Sequence, residues 1–442
     1  MGSTQSLFTK LYKKRPDKQI LLTDAELQQL NNIISSFRSK DAINISFEEM
    51  KAYLLPFMNI SIIERLYDAM QWKPLAKRSQ PRLERPTISP ITFIYVISNF
   101  LKGNSNQKAT IIRFMVGARD LGFVTSLDLF SFVKDLLINH LQIVKKQNLG
   151  IEVATIADDT SYDNLALNLL HDLFDPKGTG KKLPTLTQYS DIDVAGLLES
   201  TPILLYMLHQ VLYPPFPIYL AAWQFQSFLP NFITLDDVDS KVYPTTMLDI
   251  PSLIFLNMHI PRQVNKSHEW MLVFSSFDGD DSDEFTFEEL ISRCLRYDNT
   301  LFIIEDSDLY RFGGFSSDKW IVYPKFRGSL GCFVFSLVPQ MTHYKPTGIN
   351  KNCIYMNDFT YEESPQFIGF GGSQKYPAFS INSDCKTGVS YPTLTYNSPQ
   401  LSSKTNFQIG KLEIWAIFRA SAMRTQGWKT QQISSVEFSK KK

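Results

Sequence analysis

Apolar residues change their spacing near residue 247, and the change divides the chain. From Leu22 the spacing is helical: Thr23 and Glu26 form a capping box, and Leu27, Leu30, Ile33, Ile34 and Phe37 share one face. The stretch Ser39–Leu54 has the outline of an EF-hand, with Ile45 at the apolar eighth position of the loop and Glu49 at the twelfth. Helix–loop–helix patterns continue over 60–70, 91–102, 108–118 and 127–146, and a second helical block spans about 159–238. Beyond it short strands and turns take over. The pattern predicts a lead-in helix over Met247–Met258, a strand over Trp270–Ser276 and a helix over Phe285–Leu295. Strands follow at Leu301–Ile304, Lys319–Tyr323, Cys332–Val338, Asn352–Asn357, Phe367–Phe370, Phe379–Ile381 and Lys411–Phe418. Phe312-Gly313-Gly314-Phe315 reads as a turn between strands. In the last strand Leu412, Ile414 and Ala416 alternate with Glu413, Trp415 and Ile417, the period of two that a pleated strand requires. Runs apolar on both faces, such as Cys332-Phe333-Val334-Phe335, belong inside a sandwich flanked by helices, so the expected class is α+β. The expected segments are 1–21, a basic N-terminal anchor; 22–150, an EF-hand-like helical domain; 151–245, a second helical block and linker; 246–419, the sheet domain; and 420–442, a short basic tail.

Composition narrows the function classes. A chain of 442 residues with 44% hydrophobic and 20% charged content is long enough for two or three domains with their own cores. A net charge of +1 excludes a strong overall pull toward nucleic acid, so no nucleic-acid partner is expected. Cys294, Cys332, Cys353 and Cys385 contain no CxxC pair, which fits neither a zinc site nor a small disulfide framework; reduced, buried thiols are expected. No apolar segment of signal-peptide type follows Met1. The apolar run from Pro202 to Ala222 has the length of a membrane span, but Pro214, Pro215 and Pro217 break it, and it reads as buried helix, turn and helix.

Candidate chemistry is sparse. Met1-Gly2-Ser3-Thr4-Gln5-Ser6 fits the N-myristoylation pattern on Gly2, and Lys10, Lys13, Lys14, Arg15 and Lys18 supply the second, electrostatic signal that one acyl chain needs. An anionic membrane is therefore an expected partner. In the first EF-type loop Arg38, Lys40 and Ala42 stand where oxygen ligands are required, so that loop should be metal-free. A weaker calcium candidate begins at Asp278, with Asp280, Ser282 and Glu289 at ligand positions but Asp283 where glycine is needed. The segment Asp175–Lys182 lacks the first glycine and the final Ser/Thr of a phosphate-binding loop. Six histidines form no metal-ligand pair, and no serine sits in a nucleophile elbow. Cys353, near Lys351, is the sole candidate for an activated thiol. Gly371-Gly372 reads as a turn or bulge where backbones pass closely. No enzyme activity and no cofactor are expected.

The residues from Met247 to Arg419 resemble a TLDc domain. The resemblance is carried by the Trp270–Ser276 run, Phe312-Gly313-Gly314-Phe315, Cys332–Ser336, Gly371-Gly372 and Glu413-Ile414-Trp415-Ala416. Within that family the chain is most similar to the myristoylated, mTOR-associated branch of eak-seven type. It shares that branch's Met1-Gly2 start, Leu101-Lys102-Gly103-Asn104, and the run Thr395 to Leu401. The resemblance implies an α+β sandwich of two antiparallel sheets without enzyme activity. It implies binding through the TLDc domain to the peripheral stalk and head subunits of the vacuolar proton pump (V-ATPase). It also implies a place on the cytoplasmic face of the lysosomal or vacuolar membrane and in the cytoplasm, and a link to TOR signalling. Other TLDc proteins imply protection against oxidative stress as an alternative, and the EF-hand outline implies a calcium-responsive adaptor as another. The branch carries a C-terminal helix that reaches the pump's rotor, whereas Ala420–Lys442 is short, polar and basic here. The turn Glu305–Asp308, with Lys319 and Lys325, is the expected docking surface.

Overall fold

The structure is a computed structural model that describes residues 21–39, 42–71, 86–118, 120–146, 159–175, 187–217, 229–232, 246–261, 268–276 and 285–419. Gly2, Lys10, Lys13, Lys14, Arg15, Lys18, Lys40, Asp278, Asp280, Ser282 and the tail from Ala420 lie outside the described residues. The chain divides into two compact units, one of residues 1–149 and 158–225, the other of 150–157 and 226–442. It is an α+β protein, helical in the first unit and sheet-rich in the second.

The helical unit holds α1 (Asp24–Phe37), α2 (Phe47–Leu54), α3 (Ile60–Met70), α4 (Pro90–Lys102), α5 (Ser105–Met115), β1 (Val124–Thr125), α6 (Ser126–Lys146), α7 (Asp159–Leu169), α8 (His171–Phe174), β2 (Gln188–Tyr189), α9 (Asp191–Ser200) and α10 (Pro202–Leu212). The helices that the sequence divides at residue 150 thus share one unit. Their loops come in pairs. Ile45 and Ile88 exchange backbone hydrogen bonds of 2.8 and 2.9 Å, and β1 pairs antiparallel with β2, Val124 opposite Tyr189. Each paired loop leads into a capped helix whose first turn is held by a side chain four residues beyond the bridge. Ser46 with Glu49 and Ser190 with Asp193 form capping boxes, Thr125 bonds with Asp128, and Ser89 with Thr92. The core gathers Phe37, Tyr53, Phe93 and Phe216, with ring centroids between 4.8 and 6.4 Å apart. Arg65–Asp135 and Arg113–Asp191 pairs, both 2.7 Å, tie distant helices. α10 is buried on most of its surface, and no helix among the described residues is long and apolar enough to cross a membrane.

The sheet unit holds β3 (Asn231–Phe232), α11 (Ile250–His259), β4 (His268–Ser275), α12 (Phe287–Cys294), β5 (Thr300–Asp306), β6 (Arg311–Ser316), β7 (Tyr323–Arg327), β8 (Phe333–Val338), β9 (Thr342–Tyr344), β10 (Ile354–Asn357), β11 (Phe367–Phe370), β12 (Phe379–Asn382), β13 (Thr387–Val389) and β14 (Asn406–Arg419). Its larger sheet runs β3-β4-β14-β5-β6-β8-β9, with β13 paired to β14; the smaller runs β12-β11-β10-β7. All these pairings are antiparallel except β3 with β4. The core lies between the sheets. Phe302, Ile304, Phe312, Val334, Leu412 and Ile414 of one meet Ile354, Met356, Ile368, Phe370, Phe379 and Ile381 of the other. The alternation along β14 sets its sides, since Leu412, Ile414 and Ala416 join this core while Glu413 and Trp415 lie on the opposite face.

Three expectations are corrected. Phe312-Gly313-Gly314-Phe315 is no turn but the middle of β6. A Cβ on Gly313 would stand 1.9 Å from the carbonyl oxygen of Phe302, and one on Gly314 would stand 2.7 Å from the Phe370 ring. The glycines let a neighbouring strand and an aromatic cluster approach β6, rather than letting the chain reverse. Lys319–Tyr323 is not a strand, because β7 begins at Tyr323. Trp320 is instead plugged into the core, its indole N–H donating to the Thr300 hydroxyl at 2.7 Å, as the chain crosses from one sheet to the other. The turn Glu305–Asp308 is exposed only at Ser307 and Asp308, since Glu305 and Asp306 end β5 and are buried.

Candidate functional site

The marker residues fall into separate structural roles rather than one catalytic cluster. On the outer face of the larger sheet, Trp270 and Trp415 lie 6.0 Å apart between ring centroids, beside Glu413. Glu413 is buried, and its carboxylate accepts from the Met247 N–H at 2.6 Å, the Thr246 hydroxyl at 2.9 Å and the Trp415 indole at 3.0 Å. Burial raises its pKa in spite of those three donors. The carboxylate is a clamp that fastens the run ahead of α11 to β14. Phe312 and Gly314 face the inner core, where Phe302, Trp320 and Phe370 pack edge-to-face with centroids 5.4 to 5.6 Å apart. Phe315 stacks on Phe333 at 5.2 Å.

The acidic turn is consumed internally. Glu305 pairs with Arg311 at 2.6 Å and Lys411 at 3.0 Å; burial opposes its charge, but these two cations outweigh it and hold the carboxyl below its usual range. Asp306 accepts from the N–H groups of Asp308 and Tyr310, both at 2.9 Å, and from the Ser402 hydroxyl at 2.5 Å. Asp308 pairs with Lys404 at 2.9 Å. Lys319 and Lys325 are exposed as expected.

Gly371 and Gly372 do make a turn, with φ near +71° and +74°, and it belongs to a built surface. Three loops, 345–352, 371–378 and 391–398, are knitted at their bases. Thr395 is the hub: its hydroxyl accepts from the Gly372 N–H and donates to Asn350, both at 2.9 Å, and its carbonyl accepts from the Thr347 N–H at 2.8 Å. The Asn352 amide donates to the Gly372 carbonyl at 2.8 Å. A Cβ on Gly371 would enter the Tyr396 ring at 2.8 Å, so ring and turn are mutually fitted. Outward these loops present Ile349, Leu394 and Tyr376, 68%, 70% and 49% exposed, with Lys345, Lys351 and Lys375 also exposed. They carry no acidic residue. Sequence reasoning missed this surface, though Thr395 to Leu401, a marker of the branch, supplies its hub.

In the first EF-type loop the acid at the twelfth position is bonded within the chain. Glu49 spends one carboxylate oxygen on the Ser39 N–H and hydroxyl, at 2.7 and 2.5 Å, and the other on the Ser46 N–H and hydroxyl, at 2.8 and 2.7 Å. Burial works against its charge, but the hydrogen bonds from Ser39 and Ser46 win and lower its pKa to about 2. Arg38, at the first ligand position, donates to the Ile43 carbonyl at 3.0 Å. Glu289, the described member of the weaker calcium candidate, pairs with Arg293 at 2.5 Å. Among the described residues no group of three His, Cys, Asp or Glu side chains could hold a metal. Cys353 lies against the Cys332 thiol, which together with burial pushes its pKa up.

Residues 242–418 match the model of the TLDc domain, and the chain carries one. It is 29% identical over 409 residues to the human MTOR-associated protein MEAK7, covering 89% of this chain and 86% of that protein. It is likewise 29% identical over 385 residues to the chicken protein of that name, covering 84% and 79%. A shorter likeness links it to the bovine Oxidation resistance protein 1, 29% identical over 197 residues, or 44% of this chain and 20% of that one. These relatives are named for association and resistance, not for a catalysed reaction.

Proposed function

We propose that this TLDc-domain protein is a non-catalytic, lipid-anchored regulator that docks on the peripheral stalk and head of the vacuolar proton pump and couples the pump to TOR signalling. It works at the cytoplasmic face of the lysosomal or vacuolar membrane. One observation carries the docking reading, the hydrogen-bonded three-loop surface of Ile349, Tyr376 and Leu394 with Lys345, Lys351 and Lys375. Such a surface suits an acidic partner segment that carries apolar side chains, because charge sets the approach and apolar burial holds it. The MTOR-associated names of relatives matched over most of the chain support the signalling role. The Gly2 motif with its basic residues supports membrane attachment.

The test is recovery of the pump from detergent-solubilised vacuolar membranes on the immobilised protein. Wild type recovers stalk and head subunits, and the Lys345→Glu/Lys351→Glu/Lys375→Glu variant recovers few. Recovery of none by wild type, with the pump shown to be assembled, overturns the docking reading; equal recovery by the variant overturns the assigned surface. Gly2→Ala moves the protein out of membrane fractions, and unchanged fractionation overturns the anchor.

A further inference from the structure

The two ends of the smaller sheet carry opposite surfaces. β10, β11 and β12 follow one another as antiparallel hairpins, so the loop 358–366 lies at one end of β11 and the loop 371–378 at the other. The second loop belongs to the three-loop surface, where Lys345, Lys351 and Lys375 accompany exposed Ile349, Tyr376 and Leu394 and no acid is present. The first loop is its converse. It begins Asp358-Phe359-Thr360-Tyr361-Glu362-Glu363 and holds no basic residue. Phe359 and Tyr361 are 53% and 39% exposed, and Glu362 and Glu363 are exposed beside them. Hydrogen bonds hold this display in place. The wholly buried Asn357 donates its amide to the Tyr361 and Ser364 carbonyls at 3.1 and 3.0 Å. The Tyr355 hydroxyl donates to the Pro365 carbonyl at 2.8 Å, and the Asp358 carboxylate accepts from the Thr360 N–H at 2.7 Å.

We propose that the acidic, aromatic loop 358–363 of one copy of this chain seats on the three-loop surface of a second copy. Charge complementarity selects this occupant, since the loop carries acids without a base and the surface carries lysines without an acid. Phe359 and Tyr361 bring apolar area to Ile349 and Leu394, while Glu362 and Glu363 meet the lysines around them. That is the division between a buried aromatic anchor and a charged rim by which protein interfaces hold and steer. Within one chain the two elements do not meet, because the four residues of β11, about 13 Å of extended backbone, stand between them. The contact is therefore heterologous. A joined pair still has one loop and one surface unused, so copies add head to tail. Each copy whose surface is occupied withholds its lysines from the acidic partner segment proposed above. The inference rests on that surface but not on the pump as its partner.

The experiment follows the weight-average mass of the purified full-length protein by light scattering, with Gly2→Ala throughout so that no acyl chain drives association. The mass rises with concentration past that of two copies. Raising salt from about 0.1 to 0.5 M weakens the association about tenfold. Lys345→Glu/Lys351→Glu/Lys375→Glu and Glu362→Lys/Glu363→Lys each stay single, and their mixture associates again because the charges are complementary once more. Zero-length carbodiimide cross-linking of mixed light and heavy nitrogen-labelled protein joins Glu362 or Glu363 of one copy to the three lysines of another. These cross-links and the salt dependence need no charge-reversed variant, so they give the answer should one misfold. A single-copy mass at every concentration up to about 1 mM overturns the proposal. So does an assembly that either charge reversal leaves intact, and so do cross-links that run instead from Glu362 and Glu363 to Lys429 or the lysines at 440–442. The pump is absent from this experiment, so its outcome is separate from that of the pump-recovery test.

Discussion

Replacing Glu413 with glutamine tests which of two opposed effects governs the clamp on β14. The wild-type carboxylate serves three donors, and glutamine keeps its shape while losing the charge and one acceptor oxygen. With the amide oxygen on the Met247 N–H, the NH2 group donates to the Thr246 hydroxyl but confronts the Trp415 indole N–H. One buried donor is then orphaned, at a cost of about 1–3 kcal/mol. Relief of the buried charge opposes that cost, and only this second effect depends on pH. Because burial raises the folded pKa of Glu413, the folded state holds the proton more tightly than the unfolded chain. Wild-type stability from this group is therefore fully present below the unfolded carboxyl pKa and is lost as pH rises through the raised folded value. Glu413→Gln has no such slope, so its penalty is largest at acid pH and shrinks toward neutrality. Urea midpoints read by tryptophan fluorescence measure it, since Trp270, Trp320 and Trp415 are all buried in this unit. With an m-value of about 1–3 kcal/mol/M, the midpoint should drop by about 1 M near pH 4.5 and by less near pH 7.5. A deficit that grows toward pH 7.5 would refute the reasoning, because it would mean that the three hydrogen bonds outweigh the burial of the charge.

Other predictions follow from close contacts and caps. Gly313→Ala should lower stability by about 3 kcal/mol or more, because backbone must yield at a 1.9 Å contact, and thermal melts should show it more damaging than Gly314→Ala, whose obstacle is the Phe370 side chain. Glu49→Gln should cost about 1 kcal/mol in urea titrations. Its wild-type contribution is present above a pH of about 4.5 and lost as pH falls toward about 2, because the folded pKa is depressed. Millimolar calcium should leave the melting temperature of the helical unit unchanged, and a rise would contradict the metal-free reading of its first loop. Tyr396→Phe should cost about 1 kcal/mol in melts through loss of the hydroxyl bond to the Cys353 carbonyl.

What was legible in the sequence was periodic or local. The alternation at Leu412–Ile417 identified β14 and its two faces, and Thr23 with Glu26 identified the start of α1, because each signal lies within a few adjacent residues. The glycine pair of β6 misled for a physical reason. A glycine signals freedom of φ and also the absence of a side chain, and the local sequence does not say which is in use. The obstacle at Gly313 is Phe302 on the neighbouring strand, and at Gly314 it is Phe370 in the other sheet. The pairing of Ile45 with Ile88 escaped for a similar reason, since Ile88 is followed by Ser89 and Thr92 without an acid and resembles no calcium loop. Lys351, two residues from Cys353, is visible in sequence, whereas the neighbours that the fold gives the buried thiols are not. Asp318 and the partner thiol are brought to Cys332 only by the crossover at Trp320 and the contact between sheets.

These details bear on where a control point can lie. In a calcium-responsive EF-hand the acid at the twelfth position must be free to move onto the ion, and the helix it begins moves with it. Here the same carboxylate in the first loop is fixed to Ser39 and Ser46, and its counterparts Asp128 and Asp193 are fixed to Thr125 and Ser190. The bonds with Ser46, Thr125 and Ser190 cap helices, so freeing the carboxylate would cost about 1 kcal/mol or more of helix stability before any ligand was gained. The first loop also lacks oxygen at its opening ligand positions, so no ion repays that cost. In the sheet unit the acidic turn is similarly spent on Arg311, Lys411 and Lys404.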